Sequence, residues 1–316
     1  MCGIYGFCGF SDDTLLDRMA RRIVHRGPDG TGRYEAPGIQ MGMQRLAIID
    51  LHGGWQPVYN EEGNIAVVYN GEIYNYIELR EELIAKGHVF KTKSDTECIV
   101  HGYEEWGVDC VKRFNGMFAF SLHDRRTGDT FFARDRCGQK PFYYWRDPLG
   151  HLVFASEIKA LLESRLVPRA CNLAAIDPFL ALRVVPEPQT MFQDIYTLPA
   201  AHRMLRKADG SVHIDRYWDI TLKEDSNYPD DTEALERVEH ALRQSVKLVM
   251  RSDVPVGAYL SAGIDSSLLV ALMREFNDKV NTFSLGFNSP IDETRDAAET
   301  ARFLGTNHHT IHCAPE

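Results

Sequence analysis

The chain opens Met-Cys-Gly, which puts a thiol at the second residue, where a terminus ordinarily frays. Cys2 admits two readings. As the start of a strand with Ile4, Tyr5 and Phe7, it is a small hydrophobe. With Met1 removed, it becomes the terminal residue, and one carbon then carries a thiol nucleophile beside an α-amine base. Both groups titrate close to neutrality, so a proton can pass between them. A second stretch, "SAGIDSS" from Ser261 to Ser267, combines small residues with three hydroxyls. Backbone N–H groups can approach phosphate oxygens there, and a following helix turns its positive end toward them. Asp265 repels a bare phosphate and suits a bridging magnesium ion; in the plainer reading it is the N-cap of a strand-to-helix turn. The spacing and lysine of a Walker A loop are absent.

Both stretches need elements to hold them. Up to about Asp219, "NIAVVYN", "GMFAFSLHD" and "DTFFARD" predict strands, and "RRTGDT" predicts the hairpin connection between the last two. "YIELREELIAKG" predicts a helix with Ile77, Leu79, Leu83 and Ile84 on one face and Gly87 as its stop. "SDTECIVHGYEEWG" predicts another, opened by a capping box from Ser94 to Glu97. The polar, acidic stretch from Thr221 to Thr232 reads as a linker. Beyond it, "EALERVEHALRQSVKLVM", "LLVALMREF" and "DETRDAAETARFLG" read as helices, alternating with strand patterns in "VPVGAYL", "VNTFSLGF" and "HHTIH". That alternation predicts a parallel sheet, whose ligands sit beyond the carboxyl ends of its strands. "SAGIDSS" falls at such an end.

Composition narrows the class. With 316 residues, 44% hydrophobic and 25% charged, the chain supports two domains with cores of their own. No run approaches the roughly 20 apolar residues of a membrane span, and the acidic residues near the start do not fit a secretory signal. Seven cysteines without a C-x-x-C pair predict free thiols in a reducing compartment, the cytoplasm. The net charge of -10 argues against a nucleic-acid surface. Small-molecule chemistry, with neither membrane nor nucleic acid as partner, is the expectation.

In order along the chain, "MCGIYGF", "HRGPDG", "QRLAIIDL", "YNGEIYNY", "SDTE", "GMFAF" and "RDRCGQKPFYY" resemble the class II glutamine amidotransferase domain. "DVPVGAYLSAGIDSS" resembles the pyrophosphate loop of an ATP-cleaving synthetase domain. The domain order is similar to that of the glutamine-hydrolysing asparagine synthetase family. The resemblance implies an α+β N-terminal-nucleophile αββα sandwich over residues 1–220 and a linker over 221–232. Residues 233–316 then form the start of a truncated α/β parallel-sheet ATP-pyrophosphatase domain of the adenine nucleotide α-hydrolase-like kind.

Roles follow from the same resemblance. Cys2 is the nucleophile that attacks the side-chain amide of glutamine, giving a γ-glutamyl thioester and ammonia, with its own amine as base. Asn70 and the Gly71 N–H serve the oxyanion, although Asn-Gly is also a strong hairpin-turn signal. Arg45 takes the α-carboxylate, Asp95 and Glu72 hold the α-ammonium and the amide, and Ile48 and Ile49 contact substrate through their backbone. His25 and Arg26 shape the nearby loop without a catalytic role.

In the second part, Leu260 and Leu285 flank the adenine of ATP, and Ser261, Ala262, Gly263, Asp265, Ser266 and Ser267 surround the pyrophosphate. Asp265 is the ligand of Mg2+. Aspartate is activated as an acyl-adenylate, and ammonia reaches it through an internal tunnel. A homodimer is a further expectation. Two features depart from the family. Ala262 stands where a glycine is usual, so its methyl crowds the phosphate or forbids a positive φ. The sequence also stops at Glu316, before the family's acidic loop and lysine, so the expectation is a glutaminase-competent chain with an incomplete synthetase half. The alternatives are a relative with another carboxylate acceptor and a non-catalytic scaffold that keeps the motifs.

Overall fold

The computed structural model describes residues 1–222, 230–287 and 292–313. Backbone contacts divide the chain into two compact units, Met1–Thr221 and Leu222–Glu316. Residues 223–229, most of the stretch read as a linker, lie outside the described residues.

In the first unit the strands are β1 (Gly3–Cys8), β2 (Gly30–Ala36), β3 (Ile39–Arg45), β4 (Val58–Tyr59), β5 (Ile65–Ile73), β6 (Gly116–Asp124), β7 (Asp129–Arg134), β8 (Tyr143–Arg146), β9 (Leu152–Ala155), β10 (Tyr196–Thr197), β11 (His202–Arg206) and β12 (Val212–Arg216). Its helices are α1 (Leu15–Arg22), α2 (Tyr76–Ala85), α3 (Glu97–Trp106), α4 (Ile158–Leu161) and α5 (Ile176–Leu182). The strands form two six-stranded sheets, ordered β10-β8-β9-β1-β3-β2 and β12-β11-β7-β6-β5-β4. The neighbours pair antiparallel throughout.

Strand alternation builds the layers. Ile4 and Cys8 of β1 face a core shared with Ala66, Val68, Ala119 and Phe132 of the other sheet. Tyr5 and Phe7 face the opposite way, onto Leu15, Leu16 and Met19 of α1 and Ala160 and Leu161 of α4. On the far side of the second sheet, Val67 and Tyr69 pack with Leu79 of α2 and Cys98, Ile99 and Val100 of α3. The first unit is therefore a four-layer αββα sandwich. Because both faces of β5 and β6 are covered, their sequences read as continuous apolar runs instead of alternating ones.

Two helix readings need correction. Leu79 and Leu83 are buried, but Ile77 and Ile84 are 40% and 50% exposed. At about 100° per residue, those two isoleucines lie together on the side of α2 opposite the two leucines. The capping box at Ser94 does not form either. Glu97 is the first residue of α3, too early to reach back, and its carboxylate accepts from the N–H groups of Lys91 and Thr92 at 2.7 Å each.

The second unit contains α6 (Asp231–Val249), β13 (Gly257–Tyr259), α7 (Ile264–Phe276), β14 (Asn281–Gly286), α8 (Thr294–Leu304) and β15 (Asn307–His312). Its strands are parallel, in the order β13-β14-β15. The Asp230 side chain caps α6 by accepting from the Glu233 N–H at 2.9 Å. The helix thus takes in Asp231 and Thr232, the last two residues of the stretch read as a linker.

Candidate active site

Cys2 sits immediately before β1, and β1 is paired along both edges, to β3 and to β9. The thiol accepts from the Leu46 N–H at 3.3 Å and donates to the Leu46 carbonyl at 3.5 Å. Burial pushes its pKa up, against the opposing pull of the Leu46 hydrogen bond. The residue after the thiol must be small: a Cβ on Gly3 would stand 2.9 Å from Ile23 Cδ1 and 3.0 Å from Arg26 Cδ. Arg26 passes over this point to donate from Nε to the Cys2 carbonyl at 3.0 Å. His25 and Arg26 both reach the Glu157 carboxylate, at 2.8 and 3.1 Å.

That carboxylate gives the site a defined acid sensitivity. Burial alone raises the Glu157 pKa, but hydrogen bonds from Lys159, Arg26 and His25 outweigh it and hold the group at about 2, against an ordinary 4.5. A folded-state pKa below the unfolded one stabilises the fold above the unfolded value, and that contribution fades as pH falls from 4.5 toward 2. Urea unfolding of wild type and Glu157→Gln should therefore differ at pH 6, and the gap should narrow to about half or less as pH falls to 3. A gap that stays constant over this range would refute the assignment.

Cys2, Arg45, Ile48, Ile49, Gly71, Glu72 and Asp95 line one narrow pocket in the first unit, together with Gln56, Tyr69 and Ser94. Its open interior of about 20 Å³ is room for a single water. Asn70 and Gly71 are not a hairpin turn. They lie inside β5, opposite Ala119 and Phe118 of β6. Beyond the short β4, the other edge of β5 faces the pocket. Tyr69 and Ile73 send their N–H groups to that edge, into Gln56 Oε1 at 2.6 Å and Asp95 Oδ2 at 2.8 Å. By the same alternation, the Gly71 N–H between them points the same way. Asn70 is buried and its side-chain Nδ2 has no partner. A buried orphan donor costs about 1–3 kcal/mol, so this strand is set up for an acceptor.

Two carboxylates stand close together. Asp95 accepts from Tyr69 Oη at 2.8 Å, from Ile73 N–H and from Ser94 Oγ at 3.3 Å, while Glu72 Oε2 is buried without a partner. Burial raises the pKa of both, and the charge of Asp95 raises Glu72 further. Three donors favour the charged form of Asp95, whereas Glu72, whose Oε2 has no donor, has its pKa pushed up to about 8. Lys140, also buried, brings Nζ to 3.3 Å from Met1 Sδ. Its loop is held by two buried side chains: Arg134 donates to the carbonyls of Lys140, Gly138 and Leu198, and Asp135 accepts from the N–H groups of Cys137, Gln139 and Lys140.

Arg45 is buried, and its terminal nitrogens donate to the carbonyls of Leu51 at 3.1 Å and Asp50 at 2.7 Å. Its guanidinium also lies 5.0 Å from the Trp55 ring. Arg45 thus shapes the loop that carries Ile48 and Ile49. Sequence reasoning missed Gln56, Tyr69 and Lys140. Tyr69 and Lys140 fall inside quoted motifs, Tyr69 next to the assigned Asn70; Gln56 gave no signal.

In the second unit, Leu260, Ser261, Ser266 and Leu285 line a cavity of about 300 Å³ with Phe283 and Glu293. Asp265 lies in the first turn of α7, whose N-cap is Gly263, so the N-cap reading of Asp265 is wrong. Ala262 is not among the residues with positive φ, so its methyl carries no left-handed strain. Ser266 and Ser267 turn their hydroxyls to the Gly263 carbonyl at 3.2 and 2.8 Å. No side chain caps α7, which leaves its positive end facing an exposed, hydroxyl-rich loop that fits a phosphate. The exposed Asp265 carboxylate beside it fits a magnesium ion bound to that phosphate.

An αββα sandwich that holds a thiol ahead of its first strand places the first unit in the class of N-terminal-nucleophile folds. The chain belongs to the glutamine amidotransferase domain family, whose model matches residues 1–218; residues 237–316 match the asparagine synthase family model. It is 35% identical to asparagine synthetase [glutamine-hydrolyzing] 1 of Bacillus subtilis, covering 100% of this chain and 51% of that one. It is 34% identical to asparagine synthetase [glutamine-hydrolyzing] 2 of Oryza sativa subsp. japonica, covering 99% and 50%. A relative from Methanocaldococcus jannaschii is 37% identical over 98% of this chain and 64% of its own length. The chain thus spans half to two thirds of these relatives. Glutamine phosphoribosylpyrophosphate amidotransferase from B. subtilis, solved with ADP and GMP, shares the fold at a TM-score of 0.50 and 16% identity, over 98% of this chain and 65% of that one.

Proposed function

We propose that the first unit hydrolyses glutamine to glutamate and ammonia, with Cys2 as the nucleophile once Met1 is removed. The observation that carries this reading is the unpartnered Asn70 Nδ2 beside the pocket-facing Gly71 N–H, on a strand that lines the Cys2 pocket. The Cys2 thiol passes its proton to its own α-amine and attacks the amide carbon of glutamine. The oxygen of that carbonyl becomes an anion and takes hydrogen bonds from Asn70 and Gly71. The C–N bond breaks, the nitrogen takes up a proton and leaves as ammonia, and water then hydrolyses the γ-glutamyl thioester. Asp95, Arg45 and the backbone of Ile48 and Ile49 hold the amino-acid end of the substrate, and Glu72 takes the side-chain amide. Glu72 in its protonated form can donate to a carbonyl, which suits it to an amide better than to a cation.

In the whole protein the ammonia is consumed by aspartate activated with ATP, as the names of the relatives support. Leu260 and Leu285 take the adenine, and Ser261, Ala262, Gly263, Ser266 and Ser267 take the phosphates. Asp265 holds Mg2+, which supplies charge neutralisation for the phosphates. The cytoplasm is the working compartment, and seven unpaired cysteines support that. Among the described residues no helix is long and apolar enough to cross a membrane.

The discriminating variant is Asn70→Ala. Loss of one oxyanion donor lowers kcat by about 10²–10³-fold, with KM for glutamine little changed because the amino-acid end is held elsewhere. Steady-state assay of glutamate release reads both constants. A variant that loses affinity but keeps kcat would move Asn70 from the oxyanion to substrate binding.

A further inference from the structure

We propose that Glu61, His88, His101 and Glu104 bind one divalent transition-metal ion, with zinc the best match to their donors. None of the four lines the glutamine pocket. They come from three segments of the first unit: Glu61 from the turn between β4 and β5, His88 from the connection between α2 and α3, and His101 and Glu104 from α3. One donor atom from each lies within 4.8 Å of the others.

The spacing is that of a coordination shell. Bonds of about 2.0–2.1 Å to a tetrahedral ion put neighbouring donors roughly 3.3–3.4 Å apart. Here His101 Nδ1 stands 3.3 Å from Glu61 Oε2 and 3.5 Å from Glu104 Oε2, and His88 Nδ1 stands 3.4 Å from Glu61 Oε1 and 3.9 Å from Glu104 Oε2. His101 is wholly buried, yet neither ring nitrogen has a hydrogen-bond partner, and Glu104 Oε2 also lacks one. Two neutral imidazoles and two carboxylates leave a charge that a divalent cation cancels.

The surroundings orient the ligands as an outer shell does. Glu97 Oε1 stands 3.5 Å from His101 Nε2, on the side away from Nδ1, and Glu97 is itself fixed by Lys91, Thr92 and the Thr92 hydroxyl. Glu105 lies 3.6 Å from His88 Nε2, Asn60 donates to Glu104 Oε1 at 2.8 Å, and Val89 N–H donates to Glu61 Oε1 at 2.8 Å. An ion here would fasten the connection that leads into Ser94 and Asp95 onto α3. The competing occupant is a proton: against the downward pull of burial, Glu104, Glu97 and Glu61 raise the His101 pKa to about 9.

Cobalt(II) titrated into the chelator-treated full chain decides between them. The expected result is one equivalent bound, with the d–d absorption of a tetrahedral nitrogen–oxygen site, no thiolate charge-transfer band, and bleaching by zinc. His88→Gln and Glu61→Gln, both at the margin of the cluster, abolish that absorption, and Glu97→Gln weakens zinc binding by about 10–100-fold. Absence of a saturable band overturns the proposal. So does a band of thiolate character, which would place the ion on one of the accessible cysteines, or a band unchanged in folded His88→Gln and Glu61→Gln proteins.

Discussion

Replacing Cys2 by alanine removes glutamine hydrolysis, with kcat falling by roughly 10⁶-fold, the scale on which loss of a covalent nucleophile acts. Glutamine affinity changes little. Both hydrogen bonds of the thiol go to Leu46, while the amino-acid end of the substrate is assigned to Arg45 and Asp95, whose hydrogen bonds are made to other residues. Glutamate release against calorimetric glutamine binding separates the two effects. Intact mass of the active enzyme should show the methionine gone. A Cys2→Ala protein within about a hundredfold of wild type would mean that the nucleophile lies elsewhere, since such a residue is worth far more than that.

Gly71→Ala should be the next most damaging for activity, and it should also cost stability. An added Cβ would lie 2.2 Å from the Met117 carbonyl oxygen and 2.8 Å from Phe118 Cα. Both neighbours are backbone of β6, so relief requires opening the β5–β6 pairing. Overpacking of this kind costs about 1–3 kcal/mol, which in a unit of this size lowers Tm by roughly 2–12 °C. The same shift moves the Asn70 amide and the Gly71 N–H together, so kcat drops by about 10³-fold or more, past the loss of one donor. Differential scanning fluorimetry and initial rates on one preparation suffice. Unchanged kcat with a lowered Tm would leave Gly71 as a packing residue only.

The sequence made some of this legible and hid the rest for physical reasons. The strands around Asn70 and Phe118 were readable because burial on both faces produces unbroken apolar runs. The parallel order of β13, β14 and β15 was readable because helices alternate with them. Motif resemblance gathered Cys2, Arg45, Gly71, Glu72 and Asp95 before any geometry was known, and they do line one pocket. Asn-Gly, by contrast, has the same local signature in a turn and in a strand, and only the pairing of Asn70 with Ala119 decides between them. Ser94 and Glu97 have capping-box spacing, but tertiary contacts start α3 later and redirect Glu97 to the loop before it. Gln56 could not be found because its value comes from accepting a hydrogen bond from the Tyr69 N–H, thirteen residues away in β5.

The double pairing of β1 sets a clock on maturation. Its neighbour β9 and the Ser156 hydroxyl that accepts from Ile4 N–H arrive about 150 residues later in the chain. At about 5–20 residues per second, the first strand waits roughly 8–30 seconds on the ribosome before its sheet can close. Throughout that interval the initiator methionine precedes a strand that still lacks one of its two partners, and it is more open to an aminopeptidase than in the closed sheet. Once β9 docks, Met1 remains 55% exposed, but the peptide bond behind it leads straight into Cys2 and a strand locked on both sides. On the proposed mechanism, trimming therefore belongs to the period of synthesis, and an extension that delays it yields a folded chain whose Cys2 lacks its α-amine base.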